Sequence, residues 1–210
     1  LWDYKSENPQ VPDEAAVRAA LEKSGRGRVC VEGNSVCTGG TQLDLGAIAK
    51  GAVGDEVMAC LKEQGVVCAL VNLGGNILTL GEKADGSPWT IAVVSPFGEG
   101  YAGRIEVGGG KAVATSSGAQ RYFEKDGVVY HHILDPETGY PARSGLASVT
   151  VIADDGLTAD ALSTALFVAG EAQAARILEE QYPKVGAVLI RDDGSIRILG
   201  NVCFTEEAGA

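Results

Sequence analysis

Apolar residues recur at helical spacing in four stretches of this chain. In the first stretch Val17 and Leu21 fall on one side, Pro12 lies near the start and Gly25 follows the end. In the second, Ile48, Ala52, Val57 and Leu61 form an inner stripe. The pattern predicts helices over residues 11–24, from the 43–55 stretch to about residue 65, within 156–170 with Gly170 just past the end, and over 171–181.

Short apolar runs bounded by turn residues predict strands over most of the remaining chain. Hairpin turns are expected at Gly33-Asn34, at Lys125-Asp126-Gly127 and at Asp193-Gly194. The predicted strands cover residues 28–38, 66–71, 77–80, 89–94, 102–107, 111–114, 122–123, 128–134, 147–152, 185–190 and 195–199. Since no linker separates strands from helices, we predict a single α+β domain over residues 1–210, with mixed sheets covered by three or four helices.

Charge and hydropathy exclude two classes of function. The net charge is −11, so the chain lacks the basic footprint that nucleic-acid binding requires. Its apolar runs stay shorter than the roughly 18 residues that a membrane-spanning helix needs. We therefore expect neither a nucleic-acid partner nor a membrane span within these residues.

The five cysteines leave the redox environment open. Their spacing does not match that of zinc ligands. Cys30 and Cys37 flank a predicted hairpin turn and can pair as a disulfide, and the odd total leaves at least one thiol free. Both oxidation states remain compatible with the sequence.

Residues 156–170 place several oxygen-bearing side chains on one helix face. Thr158 is the expected N-cap, and Asp160, Ser163 and Thr164 follow at positions i, i+3 and i+4. A carboxylate and two hydroxyls are ligands that Mg²⁺ accepts together with water and phosphate. Unpaired N–H groups at this helix start would also attract a phosphate. In the alternative interpretation, Asp160 only offsets the helix dipole and the hydroxyls bond back to the backbone.

Two glycine-rich turns allow a ligand to approach the backbone closely. In the Asp44–Asp55 stretch, Lys50 precedes the second glycine of Gly46-x4-Gly51, so the segment is not a Walker A loop. The Asn72–Asn76 turn follows a strand but lacks the G-x-G-x-x-G pattern of dinucleotide-binding folds. Each turn by itself is either a ligand loop or an ordinary strand connection.

Polar residues near two further strands complete the candidates. Thr115 and Ser116 lie at the predicted end of a strand, where a solvated turn is the alternative. His131 and His132, the two histidines of the chain, are adjacent on a predicted strand and should point to opposite faces. At most one of them is expected to face a given site, and a structural histidine is the alternative to a catalytic one.

Taken together, five segments follow one another in a distinctive order. They are Leu-Asp44-Leu-Gly-Ala47-Ile-Ala-Lys50-Gly, Asn72-x-Gly-Gly-Asn76, Ala-Thr115-Ser116-Ser-Gly, His132-Ile133-x-Asp135-Pro-x-Thr138-Gly139 and Asp160-x-x-x-Thr164-Ala. Their order resembles the ApbE family of FAD:protein FMN transferases, over nearly all 210 residues. The resemblance implies an ApbE-like fold with a flavin cleft.

The resemblance also implies an activity and a set of metal ligands. Family members cut FAD at its pyrophosphate in a Mg²⁺-dependent reaction, join FMN to a Thr or Ser of a target flavoprotein and release AMP. The matching metal ligands are the side chains of Asp160 and Thr164 and the carbonyl of Ala47. Ser163 stands where some relatives have Asp, which makes it a further candidate ligand.

The same comparison of segments implies roles for the other candidates. His132 matches the histidine proposed as general base, which would take the proton of the incoming hydroxyl. Lys50 would place a second positive charge near the pyrophosphate. The positions that match flavin-contacting or cleft-lining residues are Asp44, Lys50, Asn72, Gly74, Gly75, Asn76, Thr115, Ser116 and Ile133.

The partners implied are FAD as substrate and an acceptor flavoprotein with an accessible, extended Thr or Ser. Most family members work outside the cytoplasm, often with a lipid anchor. We therefore expect a periplasmic or outer-surface location, with any anchor upstream of Leu1. The family's N-terminal region, with its Met and Tyr contacts to FAD and a Phe-Asp motif, is not among these residues, so weaker FAD binding is expected.

Two other functions use the same residues. A flavin-binding protein would hold FAD in the metal pocket without chemistry. A Mg²⁺-dependent FAD pyrophosphatase would use water in place of the acceptor hydroxyl. His132 together with Asp160 and Thr164 favours an enzyme, whereas the sequence does not separate transfer from hydrolysis.

Overall fold

The computed structural model describes residues 1–4 and 6–207, which form four helices and thirteen strands. The described helices are α1 (Glu14–Leu21), α2 (Ala49–Glu63), α3 (Gly156–Ala169) and α4 (Glu171–Gln181), with a 3₁₀ turn at Arg26–Arg28. The described strands are β1 (Cys30–Glu32), β2 (Ser35–Cys37), β3 (Ala69–Leu73), β4 (Asn76–Leu80), β5 (Trp89–Val94), β6 (Tyr101–Val107), β7 (Ala112–Ser117), β8 (Tyr122–Lys125), β9 (Val128–His131), β10 (Leu146–Ala153), β11 (Gly186–Arg191), β12 (Ile196–Leu199) and β13 (Cys203–Glu206).

These elements group into two compact units. The first unit comprises residues 1–45 and 118–143, and the second comprises residues 46–117 and the chain from residue 144 onward. The predicted α+β class is confirmed, and the strand pairings of the described residues are antiparallel. The prediction of a single domain stays a prediction.

The second unit contains two sheets that share an apolar core. Its described strands form one sheet in the order β12-β11-β10-β7-β4-β3 and another in the order β13-β6-β5. Ile105 of β6 and Val188 of β11 are fully buried in the core between these sheets. Because strand side chains alternate between faces, the larger sheet keeps its other face for helices.

Helices α2 and α3 cover that other face. α3 packs on β7 and β10, α2 packs on β4, and α4 packs on α3. Leu166 and Phe167 of α3 are almost completely buried, as helices between a sheet and further elements require. This layer places the oxygen-bearing face of α3 next to the end of β7.

The first unit is built around aromatic rings. Trp2 stacks on Tyr130 with ring centroids 5.7 Å apart, and Phe123 stacks on Tyr130 at 5.2 Å. The hydroxyl of Tyr4 donates to the carbonyl of His131 at 2.8 Å, and burial raises the pKa of Tyr4 to about 12. These rings support β8 and β9, because a two-stranded hairpin alone is marginal in water.

Several element boundaries differ from the sequence-based prediction. β7 continues to Ser117, so Thr115 and Ser116 lie within a strand, where they pair with Thr150 and Val149 of β10. β9 ends at His131, so His132 follows the strand. β3 begins at Ala69, three residues later than expected, and β13 was not predicted at all. The end of β7 was not predicted because its residues are polar, and a hydropathy pattern does not indicate hydroxyl pairing across strands.

Within the described residues, neither a membrane-spanning helix nor a disulfide bond is found. Across residues 1–4 and 6–207, no helix has both the length and the apolar composition of a membrane span. The five cysteines, all within this part of the chain, carry free thiols. Cys30 and Cys37 nevertheless lie directly opposite each other in the β1–β2 hairpin.

Candidate functional site

Helix α3 carries three of the predicted metal ligands, Asp160, Ser163 and Thr164, and begins two residues before the expected cap. Asp155 is the N-cap, and its Oδ1 accepts a hydrogen bond of 2.7 Å from the N–H of Thr158. The prediction of Thr158 as N-cap is therefore wrong. A short carboxylate reaches the third amide of a helix well, and Thr158 supplies that amide.

The expectation of unpaired N–H groups at this helix start is also wrong. The amides of Gly156 and Leu157 donate to Asp55 of α2 at 2.6 and 2.9 Å. The amide of Ala159 donates to the carbonyl of Asp155 at 3.2 Å. With the first-turn amides already bonded, a phosphate here would have to displace a carboxylate.

Asp160 is the best-defined group of the site. It is only 4% exposed, and its Oδ2 accepts a hydrogen bond of 2.9 Å from the N–H of Gly51 in α2. Its Oδ1 lies 3.7 Å from the ammonium of Lys50, whose side chain is 44% exposed. A buried carboxylate needs such partners, and the exposed lysine can change its position when a ligand binds.

Three hydroxyls beside Asp160 form a chain with a defined direction. Ser163 donates to the carbonyl of Asp160 at 2.8 Å. Ser116 lies 2.8 Å from Ser163 and 2.9 Å from Thr164. Because each hydroxyl has one proton and Ser163 has already used its own, Ser116 donates to Ser163 and Thr164 donates to Ser116.

The direction of these hydrogen bonds distinguishes Thr164 from Ser163 as candidate metal ligands. The proton of Thr164 points to Ser116, so its oxygen lone pairs are directed elsewhere and suit a cation. Ser163 is 1% exposed and holds hydrogen bonds with Ser116 and with the backbone of Asp160. The structure thus gives Ser163 an internal bonding role, and its ligation of a metal stays a prediction.

Ala47 lies in the turn before α2, one residue ahead of the N-cap Ile48. The side chain of Ile48 is a hydrocarbon and cannot accept from the first-turn amides of α2. Instead, the Gly51 amide is bonded by Asp160. The turn that contains Ala47 therefore lies at the N-terminal end of α2, the end that Asp160 contacts and that carries Lys50. The role of the Ala47 carbonyl as a metal ligand stays a prediction.

Thr115 and Ser116 point to opposite faces of the sheet. Ser116 bonds to α3, whereas the hydroxyl of Thr115 lies 2.9 Å from that of Thr150 on β10. Strand alternation separates the two side chains, so only Ser116 joins the Asp160 site. The Thr115 hydroxyl thus has a partner on the other face, and the flavin contact of Thr115 stays a prediction.

The backbone conformation of the Asn72–Asn76 turn accounts for its glycines. Gly74 and Gly75 have φ values of 60° and 98°, and the Gly75 N–H donates to the side chain of Asn72 at 2.9 Å. Positive φ at both positions is typical of tight hairpin turns and strongly favours glycine. The conformation alone therefore explains Asn72, Gly74 and Gly75.

Asn76 is the member of this turn that faces the helices. Leu78, two residues further along β4, meets the Gly54 position of α2, so alternation puts Asn76 on the helix-covered face. Asn76 is 3% exposed, and among the described residues its Nδ2 has no hydrogen-bond partner. A buried amide donor without a partner suits a bound anion or water.

The remaining candidates belong to the first unit. His132 and Asp44 line one cavity of about 790 Å³, together with Arg121 and Tyr122. A volume of this order accommodates a nucleotide-sized ligand. Arg121 was missed by the sequence analysis, because an arginine beside a hairpin gives no periodic signal.

The two histidines differ as strand alternation predicted, although His132 lies just past the strand. His131 is buried, and its Nε2 bonds with the carbonyl of Ala142 at 3.1 Å. His132 is half-buried, and its Nδ1 lies 3.3 Å from the carbonyl of Arg121. A proton on Nδ1 directed at that carbonyl makes Nε2 the nitrogen that can take a proton.

The side chain and the carbonyl of Ile133 both have contacts within the first unit. Its side chain is buried, and its carbonyl accepts a hydrogen bond of 3.0 Å from the N–H of Ala142. The predicted flavin contact of Ile133 therefore stays a prediction.

The chain is similar to several characterised proteins. The ApbE family model matches residues 1–189. The FAD:protein FMN transferase of Klebsiella pneumoniae (strain 342) is 41% identical over 86% of this chain and 57% of its own length. That of Treponema pallidum (strain Nichols) is 36% identical over 94% of this chain and 59% of its own.

Solved structures agree with these sequence matches. The ApbE protein of Thermotoga maritima shares 38% identity with a TM-score of 0.83, over 92% of this chain and 63% of that one. The apo form of the Pseudomonas stutzeri flavinyl transferase ApbE shares 34% identity with a TM-score of 0.77, over 98% and 63%. The chain thus spans less than two thirds of the length of these relatives. On the family match, the sequence identities and the shared fold, the chain belongs to the ApbE family.

Proposed function

We propose that this chain carries the catalytic part of a FAD:protein FMN transferase. In the proposed reaction, a Thr or Ser hydroxyl of an acceptor flavoprotein attacks the FMN phosphorus of FAD. The pyrophosphate bond breaks, FMN becomes a phosphoester of the acceptor, and AMP leaves. The support comes from relatives that are named FAD:protein FMN transferases and from the oxygen ligands around Asp160.

The single observation that carries the proposal is the environment of the Asp160 carboxylate. One oxygen is fixed by the Gly51 N–H and the other is directed to Lys50. The donors near it are hard oxygens, and the described residues contain no cluster of three or more His, Cys, Asp or Glu side chains for a metal. One carboxylate with neutral oxygens suits Mg²⁺, which completes its shell with water and phosphate.

In this proposal Asp160, Thr164 and the Ala47 carbonyl hold Mg²⁺. The bound ion would neutralise charge on the phosphate oxygens of FAD. Lys50 would add a positive charge that can move toward the pyrophosphate, because its side chain is half exposed. Asn76 would donate its Nδ2 hydrogens to an oxygen of the bound substrate. Binding and orientation are the main work in phosphoryl transfer.

His132 is the proposed general base. With its Nδ1 proton directed at the carbonyl of Arg121, Nε2 would take the proton of the acceptor hydroxyl. General-base catalysis of this kind typically contributes about 10²–10⁴-fold. The acceptor hydroxyl must lie on an accessible, extended segment to reach the phosphorus in line with the leaving AMP.

The proposal extends to location through the resemblance to the family. We place the protein outside the cytoplasm, in the periplasm or at the outer face of the cell membrane.

Mass spectrometry of an acceptor flavoprotein tests the proposed function. The acceptor is incubated with this protein, FAD and MgCl₂, and AMP is measured in the same sample. We expect an acceptor that gains one FMN phosphoester, with one AMP released per adduct. Free FMN and AMP without an adduct would identify a pyrophosphatase, and FAD binding without either product would identify a flavin-binding protein.

A further inference from the structure

Helices α2 and α3 each supply a carboxylate that accepts hydrogen bonds from first-turn amides of the other helix. Asp160 of α3 accepts from the Gly51 N–H in the first turn of α2, at 2.9 Å. Asp55 of α2 accepts from the Gly156 and Leu157 amides in the first turn of α3, at 2.6 and 2.9 Å. First-turn amides have no acceptor within their own helix, so each helix supplies what the other lacks.

A contact between two glycines makes this exchange possible. A Cβ on Gly51 would lie 2.1 Å from the carbonyl oxygen of Gly156 and 2.8 Å from the Cβ of Asp160. A Cβ on Gly156 would lie 2.5 Å from the carbonyl oxygen of Gly51 and 3.1 Å from Oδ1 of Asp55. The backbones therefore touch, and each short carboxylate reaches the start of the other helix.

Asp55 fixes more of α3 than an ordinary cap does. Its two oxygens bond two successive amides, which sets both the position and the rotation of the first turn. Asp160 stands four residues after Gly156, on the next turn and on the side that faces α2. A shift of the first turn would therefore carry the Asp160 carboxylate with it.

We propose that Asp55 is a positioning residue for the metal site. It holds Asp160 so that Oδ2 stays on the Gly51 amide and Oδ1 remains directed toward the cation and Lys50. This inference rests on the proposed function, because it takes Asp160 as the metal ligand. It assigns Asp55 no contact with substrate or metal.

Manganese binding to the protein without FAD provides the test. The Mn²⁺ dissociation constant is measured by electron paramagnetic resonance for the wild type and for Asp55→Asn, which can offer only one acceptor oxygen. We expect the constant to rise about 10-fold or more, the range seen when groups that orient metal ligands are removed. Glu56→Gln, the same change of charge at the next and exposed position of α2, should leave it unchanged.

A turnover measurement separates positioning from simple stability. If Asp55 positions Asp160, the Mg²⁺ concentration for half-maximal activity should rise in Asp55→Asn and high Mg²⁺ should restore the rate. If Asp55 only stabilises the fold, the rate should fall with an unchanged Mg²⁺ requirement. Both measurements are made where wild type and variant are fully folded, because an incompletely folded variant would show a raised apparent constant. Asp55→Ser serves as a second variant if Asp55→Asn folds poorly.

Asp160→Asn distinguishes failure of this inference from failure of the proposed function. Loss of Mn²⁺ binding in Asp160→Asn with wild-type binding in Asp55→Asn would overturn the positioning role alone. Equal Mn²⁺ binding in the wild type and Asp160→Asn would overturn the metal site and the positioning role with it. Loss in Asp160→Asn together with weakened binding in Asp55→Asn supports both.

Discussion

The hydroxyls of Ser116 on β7 and Thr164 on α3 lie 2.9 Å apart. Because the Ser116 hydroxyl donates its hydrogen bond to Ser163, it accepts one from the hydroxyl of Thr164. A strand residue therefore decides how a helix hydroxyl presents its lone pairs. This relationship makes Ser116 important for metal binding even though it is not a proposed ligand of the metal.

Replacing Ser116 by Ala should weaken the proposed metal site. Without its acceptor, the Thr164 proton can turn toward the cation and oppose it, so we expect the Mg²⁺ concentration for half-maximal transfer to rise about 10-fold. Thr150→Ala is the matched control, since it breaks a hydroxyl pair of 2.9 Å on the opposite sheet face. Both variants should lose about 1–3 kcal/mol of stability, and only Ser116→Ala should change the Mg²⁺ requirement.

Asp160→Asn should abolish Mg²⁺-dependent transfer with little change in stability. Asn keeps an oxygen for the Gly51 amide and loses the charge that the cation needs. Because Lys50 is half exposed, loss of its ion pair should change the free energy of unfolding by less than about 1 kcal/mol. Transfer rates over a range of Mg²⁺ and thermal unfolding measure the two effects. Retained activity would contradict the metal site, and the exposed Asp192→Asn should match the wild type.

Gly51→Ala should disrupt the contact between α2 and α3. The new methyl group would meet the backbone of Gly156, which cannot move aside without shifting a helix. We expect a loss of about 1–3 kcal/mol in chemical denaturation, together with weaker metal binding. Gly54→Ala is the control, because its methyl group would meet the Leu78 side chain, which can rotate. Equal effects of the two changes would argue against a backbone contact at Gly51.

His132→Ala should remove most transfer while FAD binding stays near normal. Loss of a general base typically lowers the rate by about 10²–10⁴-fold. His131→Ala should instead lower stability by about 1–3 kcal/mol, because it removes a buried hydrogen bond to the Ala142 carbonyl. Transfer rates per folded molecule and melting curves separate the two. The reverse ranking of rates would assign the catalytic role to His131 and contradict the assignment to His132.

The ion pair of Glu171 and Arg191 should make stability depend on pH. Hydrogen bonding from Arg191 lowers the pKa of Glu171 below its ordinary value of 4.5. A lowered pKa in the folded state contributes stability above the ordinary value, and this is lost as the pH falls through the folded value. Glu171→Gln should therefore lower stability at neutral pH and change it little in acid, measured by urea unfolding. The exposed Glu179→Gln should show no such pH dependence.

Much of the architecture follows from local sequence signals. The α4 prediction of residues 171–181 matches the helix, and hairpins form at each of the three predicted turns. Local chemistry is sufficient here, because glycine turns and helical spacing act over a few residues. The order of five short segments also identified the family, which the family match confirms.

Long-range contacts decided what the local signals could not. Thr158 resembled a cap by sequence, but Asp155 holds that position, and Asp55 bonds the amides that a phosphate was expected to use. Likewise, Thr115 and Ser116 are neighbours in sequence and face opposite sides of the sheet.

The sequence by itself determined the residue types, the helix face that carries Asp160 and the turns that glycine permits. Only the tertiary structure decided which groups these side chains bond to. Gly51 and Asp160 are 109 residues apart, and Asp55 and Gly156 are 101 apart, so their hydrogen bonds exist only once α2 and α3 are packed on the sheet. A carboxylate has the same sequence signature whether it binds a metal, a backbone amide or water, and its surroundings in the folded chain select among them.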